Sequence, residues 1–189
     1  KNICKMGLVS ESFGIDMDFI PHYFLQDKEK IISSEWEIVV HHTPGHLCNH
    51  VCYQYFDILF TGDHVMEWST SVISPPEGEI SQFINSCKEI NKLQCRKFYP
   101  GHGHPVENPS GRIAELIEHR KKRELEIHNY LKNKEATISE ITKSVYLNID
   151  QKLLWVASRN VKAHLIDLII KKQVKVDDIS SDNAIYSLM

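Results

Sequence analysis

The sequence TPGHLCNHVCYQYFDILFTGDH, residues 43–64, decides the fold. It joins two turns, at 43–46 and 61–64, through two segments rich in β-branched and aromatic residues, at 50–55 and 57–62. Such segments between turn residues are typical of β-strands. In both turns a His or an Asp directly follows a Gly, and the same is true of the later sequence YPGHGHP, residues 99–105. The three turns are therefore predicted to carry short polar side chains at strand tips.

The segments around these turns complete a pattern of strands, one helix and a further strand. Residues 36–42 are rich in β-branched side chains and stop at Pro44-Gly45, which predicts another strand. Residues 79–93 have apolar side chains at helical spacing, which predicts a helix with one buried face. Residues 96–100 then form a short predicted strand. We therefore expect a mixed α/β fold, with the polar turns grouped at its loops.

The composition changes at 105–111, where two prolines, Asn, Ser and Gly mark a loop. Beyond it the pattern is mainly helical: a long helix over 113–133, a shorter one capped by Thr137 or Ser139, and a third over 153–172. The long helix is predicted to be amphipathic, with a buried stripe formed by Ile113, Leu116, Ile117, Leu125, Ile127 and Leu131. Residues 171–176 then turn into a short β-ribbon. Three helices followed by a ribbon are the plan of a winged helix. We predict two domains, 1–108 and 109–189.

Charge supports the division, and composition excludes several classes of protein. Residues 1–110 hold 8 Lys+Arg and 14 Asp+Glu, a net of −6, whereas residues 111–189 hold 14 and 11, a net of +3. A hydrophobic content of 42% excludes a disordered chain, and no apolar run reaches the roughly 18–20 residues of a membrane span. The five cysteines are odd in number and irregularly spaced, which argues against a disulfide framework. We expect no membrane association and a cytoplasmic location.

The three polar turns indicate a metal site. Seven of the eleven His residues lie between His41 and His104, near these turns. Imidazole and carboxylate are suitable ligands for Zn²⁺ and similar ions. A single Gly-His or Gly-Asp pair would more often be an ordinary turn. Three such pairs in series, each after an apolar strand, favour a metal centre.

In this order and spacing, the motifs around His46, Asp63 and His102 resemble the second half of the metallo-β-lactamase superfamily. The stretch GDHVMEWSTSVISPP, residues 62–76, resembles a bacterial branch of that superfamily whose members end in a winged helix and are similar to a mitochondrial β-lactamase-like endoribonuclease. The resemblance implies the C-terminal half of an αββα sandwich followed by a winged-helix module. It also implies a hydrolase that cleaves an ester, thioester, amide or phosphodiester with a metal-bound hydroxide.

The same resemblance assigns roles to three residues. His46 matches a ligand of the first metal, His102 matches a ligand of the second, and Asp63 matches the carboxylate that bridges both and positions the reactive water. The family's His-x-His-x-Asp-His motif, which belongs before these residues, does not occur in the chain. Each ion then keeps two protein ligands, fewer than the three or four of a stable zinc site. We expect two Zn²⁺ ions in a complete site, bound weakly or not at all by this chain alone.

Other residues near the motifs are candidates for substrate contacts. His64 is expected to line the cleft or to pack beneath it, Trp68 and Ser69 could lie on its rim, and His104 is expected in a rim loop. His41 and His42 are weak candidates for replacement ligands. The basic cluster at 119–123 is interpreted first as a solvated helix face and second as a nucleic-acid contact. The substrate could accordingly be a small ester or thioester, or single-stranded RNA.

The absence of the first motif has a consequence for the fold. The sheet formed by residues 1–108 should have an apolar inner face that needs an N-terminal fragment or a second copy of the chain to cover it. Two further interpretations remain open, a nucleic-acid-binding winged-helix protein with a vestigial hydrolase half and a non-catalytic remnant.

Overall fold

The computed structural model describes residues 20–181 and 183–189. Five strands form one sheet in chain order: β1 (Lys30–Ile32), β2 (Glu37–His42), β3 (Val51–Tyr55), β4 (Ile58–Gly62) and β5 (Lys97–Pro100). Neighbouring strands are antiparallel except β4 and β5, which are parallel. Because β2, β4 and β5 run in the same direction, their carboxyl ends meet at one edge of the sheet. The three polar turns follow these three ends.

Helix α1 (Ile80–Asn91) connects β4 to β5 and covers one face of the sheet. Its buried side chains recur at helical spacing, and they share a core with Leu59 and Phe98 of the sheet and with Ile113 and Leu116 of the next helix. This face is therefore closed by helices, as the apolar stripe of residues 79–93 predicted.

The opposite face of the sheet carries apolar and aromatic side chains with no helix over them in the described part of the chain. The register places Tyr53, Phe60 and Tyr99 in one row across β3, β4 and β5. The Phe60 and Tyr99 rings lie 5.8 Å apart, and Phe60 is 42% exposed. Val40 on the same face is nevertheless fully buried. The expected open face is thus present, but only part of it is exposed.

The C-terminal part contains the predicted three helices and ribbon: α2 (Pro109–Leu131), α3 (Ile138–Val145), α4 (Leu154–Ile170), β6 (Val174–Val176) and β7 (Tyr186–Leu188). Asn108 caps α2 and accepts a hydrogen bond from the Gly111 amide. Pro109 occupies the first turn of the helix, where a backbone N–H would have no partner within the helix, so its missing N–H costs nothing. Thr137, not Ser139, caps α3. A second core joins α2, α3 and α4 to the ribbon, as expected for a winged helix.

Helix α2 belongs to both parts, because Ile113 and Leu116 pack in the first core and Ile127 and Leu131 in the second. The division at residue 108 therefore stays a prediction, and the first predicted domain begins outside the described residues. Two differences from the sequence patterns are plain. Strand β1 lies in a segment for which no strand was predicted, and Leu125, expected on the buried stripe of the long helix, is 58% exposed.

Candidate metal centre

The predicted ligands come together at the edge where β2, β4 and β5 end. Gly101 N–H donates to the Gly62 carbonyl at 2.8 Å, which ties the second polar turn to the third. The His102 Nε2 and Asp63 Oδ2 atoms are 3.7 Å apart. A Cβ on Gly101 would lie 2.8 Å from Asp63 Oδ1, so a side chain at this position would displace the carboxylate. The structure thus brings Asp63 and His102 into one open cleft.

His46 lies on the first polar turn with its ring orientation fixed. Its Nδ1 is 2.7 Å from the carbonyl oxygen of Val72. Since a carbonyl can only accept, Nδ1 carries the proton and the Nε2 lone pair is left available to a metal ion. A hydrogen bond of this kind on the far nitrogen is usual for metal-binding histidines. The turn itself is set against α1, because a Cβ on Gly45 would lie 2.3 Å from the backbone of Phe83.

His50 belongs to the same cluster, although no role was predicted for it. It precedes β3, whose amino end lies at the same edge because β3 is antiparallel to β2 and β4. Its Nδ1 is 2.8 Å from Thr43 Oγ1, and its ring centroid is 6.1 Å from that of His46. Burial lowers the pKa of the His50 imidazole to about 4, with a further lowering by His46. The position of a His directly before an antiparallel strand was the available signal.

His64 lies beneath the cleft and not on its wall. The residue is fully buried, with its ring 4.6 Å from the Phe83 ring and its Nε2 3.7 Å from Cys87 Sγ. Burial holds the pKa of this imidazole well below its usual range. Of the two positions expected for His64, the structure favours packing beneath the site, and it does not give this side chain access to a substrate.

The other predicted substrate contacts lie on the rim. Trp68 is 66% exposed and packs over Gly103, where a Cβ would meet the indole at 2.4 Å. The Ser69 carbonyl accepts a hydrogen bond from Arg112, which also binds the Met66 carbonyl and so holds the Trp68 loop. His104 is exposed beside a shallow depression that Glu67 and Arg112 also line. These side chains border the cleft from the side of the third turn.

The two weak candidates for replacement ligands are engaged elsewhere. Both ring nitrogens of His41 are in hydrogen bonds, one with Lys28 and the other with Gln54. His42 donates from Nε2 to the Cys48 carbonyl. His41 therefore has no free ring nitrogen. His42 keeps Nδ1 free, but within the described residues it forms no three-residue ligand group with His46, Asp63 or His102.

The side chains present are of the chemical type that binds a metal ion, but they are too few to complete a site. Imidazole and carboxylate suit zinc, and the orientation of His46 leaves the right nitrogen free. Across residues 20–181 and 183–189, however, no group of three His, Cys, Asp or Glu side chains could hold a metal ion. The assignment of one ligand to each ion, with Asp63 shared between them, stays a prediction.

Comparison with known proteins defines the class. The profile of the metallo-β-lactamase superfamily matches residues 24–128, more than half of the chain, and that of the β-lactamase-associated winged helix domain matches residues 137–181. The chain therefore belongs to the metallo-β-lactamase superfamily, a family of hydrolases, and carries its associated winged helix.

Two kinds of relative sharpen this assignment. A β-lactamase-like protein 2 homolog from Drosophila melanogaster is 30% identical over 149 residues, which are 77% of this chain and 49% of the relative. An atrochrysone carboxyl ACP thioesterase from Aspergillus fumigatus is 32% identical over 93 residues, which are 48% of this chain and 28% of the relative. The chain thus spans about half the length of the former relative and less of the latter.

Solved structures show the same fold. A metallo-β-lactamase family protein from Thermus thermophilus aligns with a TM-score of 0.75 at 22% identity, over 87% of this chain and 54% of that one. A β-lactamase domain protein from Burkholderia ambifaria aligns with a TM-score of 0.78 at 19% identity, over 90% and 54%. Both alignments extend across the sheet and the winged helix. In the described part of the chain, no helix combines the length and the apolar character that a membrane crossing requires.

Proposed function

We propose that this chain is the C-terminal half of a dinuclear zinc hydrolase that cleaves a thioester or ester. The observation that carries the proposal is the meeting of His46, Asp63 and His102 at one sheet edge, with His46 Nε2 left free by the Val72 contact. When bound, the two ions would supply a nucleophilic hydroxide at neutral pH and polarise the bond under attack.

Each residue of the chain has a distinct part in this proposal. His46 would bind the first ion, His102 the second, and Asp63 both. His50 and His64, kept neutral by burial, would support the site from below without competing for a proton. Trp68 would form an apolar wall for the substrate, and Ser69 and His104 would add polar contacts on the rim.

The remaining metal ligands and a cover for the open face of the sheet could come from the same segment. We propose that a segment carrying His-x-His-x-Asp-His covers the Tyr53, Phe60 and Tyr99 row and supplies the remaining ligands. The aligned solved structures are nearly twice as long as the region they share with this chain, which supports such a segment. A second copy of the chain is the alternative cover. The four described cysteines are all free, which supports a reducing compartment such as the cytoplasm.

A small thioester is favoured over single-stranded RNA as the substrate. One relative bears the name of a thioesterase. The basic cluster that could have contacted RNA is only partly accessible. Lys121 and Lys122 are exposed, but Arg120 is 1% exposed, and Arg123 donates to the Val145 carbonyl while packing on the Tyr146 ring. One observation favours RNA. Trp155 on α4 is 55% exposed with the Arg159 guanidinium 5.8 Å from its ring, an arrangement on which a base could stack.

The test is complementation. The chain would be co-expressed with the N-terminal half of the Drosophila relative, purified as a complex and assayed on a chromogenic thioester and on fluorescent single-stranded RNA, with and without chelator. We expect chelator-sensitive thioester hydrolysis that Asp63→Asn reduces at least about a hundredfold, the scale of losing a group that stabilises the transition state. Asp57→Asn is the matched control, because Asp57 lies at the opposite end of β4 in an exposed pair with Arg96. RNA cleavage without thioester turnover would show that the substrate is single-stranded RNA and not a thioester. A complex that turns over neither substrate would favour a remnant.

A further inference from the structure

One tripeptide, Ser71–Val72–Ile73, contacts two of the three predicted metal ligands from behind. The Val72 carbonyl accepts the hydrogen bond from His46 Nδ1 at 2.7 Å. Ser71 Oγ donates to the carbonyl of Asp63 and lies 2.8 Å from that of His64. The position of this tripeptide therefore sets both the ring orientation of His46 and the backbone that carries the Asp63 carboxylate.

The tripeptide is in turn held by two helices of the C-terminal part. Arg120 on α2 donates through Nη2 to the Ser71 carbonyl and through Nη1 to Asn160 Oδ1 at 3.2 Å. Asn160 on α4 accepts a second hydrogen bond on the same oxygen, from the Ile73 amide at 3.2 Å. Arg159, also on α4, donates to Ser74 Oγ at 2.7 Å. A continuous set of hydrogen bonds thus leads from α4 to His46 and Asp63.

Burial makes this set of contacts costly to disturb. Arg120 is 1% exposed and Asn160 8%, and the guanidinium carbon of Arg120 is 5.3 Å from the Phe83 ring. Among the described residues no carboxylate forms an ion pair with Arg120, so the buried guanidinium is bound by the Ser71 carbonyl and the Asn160 amide oxygen, both neutral acceptors. An apolar side chain would fill such a position at lower cost. The planar guanidinium group of Arg120 instead provides two hydrogen bonds in a fixed geometry.

We infer that Arg120 and Asn160 are positioning residues, through which helices α2 and α4 align His46 and Asp63 for metal binding. This inference rests on the proposed metal site. Groups that orient metal ligands typically change metal affinity about 10- to 100-fold when they are removed. Through Asn160 on α4, the winged helix then has a role in the hydrolase centre that does not depend on contact with nucleic acid.

The chain offers matched variants for a test. Arg120→Met removes the guanidinium donors. Asn160→Leu removes the Oδ1 atom that accepts from Arg120 and from the Ile73 amide, whereas Asn160→Asp keeps an oxygen for both donors. Arg123→Met is the control, since Arg123 lies on the same helix but binds only within the C-terminal core, at Val145, Glu126 and Tyr146. Ser71→Ala provides a second route, because it removes the Oγ contact with Asp63 while leaving Arg120 intact.

Two readouts keep the inference separate from the proposed function. In the full chain without metal, hydrogen exchange at the Ile73 amide and the NMR signal of the His46 Nδ1 proton report the alignment directly. In the complemented complex, a competition titration with a chromophoric chelator gives the Zn²⁺ affinity. If the wild-type complex binds no Zn²⁺, the proposed function fails, and exchange and NMR still decide whether the two helices hold the tripeptide.

We expect Arg120→Met and Asn160→Leu to speed exchange at Ile73 at least about tenfold, to lose the His46 Nδ1 proton signal and to weaken Zn²⁺ binding about 10- to 100-fold. Asn160→Asp and Arg123→Met should stay within about twofold of wild type. Ser71→Ala should weaken Zn²⁺ binding without changing exchange at Ile73. Equal behaviour of Arg120→Met and Arg123→Met would overturn the inference. If Arg120→Met does not fold, the Zn²⁺ affinities of Asn160→Leu and Ser71→Ala test the inference instead. Wild-type affinity in both variants would overturn the inference.

Discussion

At the scale of single residues, the glycine of the first polar turn connects the site to the core. Gly45 has φ +135°, and a Cβ there would lie 2.3 Å from both the N and Cα atoms of Phe83. Helix α1 can therefore approach the turn that carries His46 only because this position lacks a side chain.

We expect Gly45→Ala to lower the free energy of unfolding by at least about 1–3 kcal/mol, the usual cost of overpacking a well-filled site. The measurement is chemical denaturation of the full chain. Asn85→Ala, at an exposed position of the same helix α1, is the control and should change the free energy of unfolding little. Equal destabilisation by the two substitutions would refute this account of Gly45.

Helix α4 carries a buried histidine, His164, that is not one of the proposed metal ligands. His164 is fully buried and both ring nitrogens lack a hydrogen-bond partner within the described residues. Burial holds the pKa of His164 well below its ordinary range, and Arg120 and Arg123 lower it further. The unfolded chain takes up a proton near about pH 6.5 and the folded chain does not. Stability from this group is therefore present above about pH 6.5 and is lost as the pH falls below it.

One proton taken up on unfolding changes the free energy of unfolding by about 1.4 kcal/mol per pH unit. We expect the wild type to lose stability between about pH 7 and pH 5, and His164→Leu to lose less of it. His50 and His64 act in the same direction and remain in the variant. His104→Leu, at an exposed position, should retain the wild-type slope. Parallel pH profiles for wild type and His164→Leu would count against the prediction.

The residues of the site differed in how far the sequence could reveal them. His46, Asp63 and His102 follow glycines at strand ends, which is a local pattern. Arg120 and Asn160 instead act through contacts with segments distant in sequence, the Asn160 contact with Ile73 spanning 87 positions. The basic run 119–123 gives no sign that both of its arginines turn inward, because that depends on the packing of α2 against two cores.

At the scale of elements, α3 shows what a local signal can decide. Thr137 Oγ1 accepts from the Glu140 amide, and the Glu140 carboxylate accepts from the Thr137 amide, a reciprocal capping box. We expect Thr137→Ala to destabilise the chain by about 1 kcal/mol, measured by thermal or chemical unfolding. Ser139→Ala, at an exposed position two residues later, should change stability little. A larger loss from Ser139→Ala would reassign the cap.

The principal strands and helices were predictable because each carries its own period and stops at Gly, Pro or a capping residue. Strand β1 was missed for the opposite reason. Its three residues, Lys30, Ile31 and Ile32, are too few to show an alternation, and their pairing with β2 is a tertiary contact. The exposed Leu125 has a similar cause, because α2 passes from one core to the other near that position.

At the scale of the whole molecule, the sheet has one face closed by α1 and α2 and one face that is partly open. An exposed apolar surface of this kind favours association. We expect the chain alone to self-associate in sedimentation or light scattering, and Phe60→Thr to weaken that association. Ile32→Thr is the control, because Ile32 is 69% exposed but lies on the other face of the sheet. A stable wild-type monomer with a cooperative melt would contradict the prediction.

We propose that this chain holds half of each of two metal sites, with Asp63 between them. The most direct test is the Zn²⁺ stoichiometry of the chain, alone and in complex with an N-terminal half that carries His-x-His-x-Asp-His, measured by mass spectrometry after removal of free metal. We predict almost no bound Zn²⁺ for the chain alone, about two ions for the complex, and a marked loss with Asp63→Asn. Two tightly bound ions in the chain alone, or none in a well-formed complex, would contradict the claim.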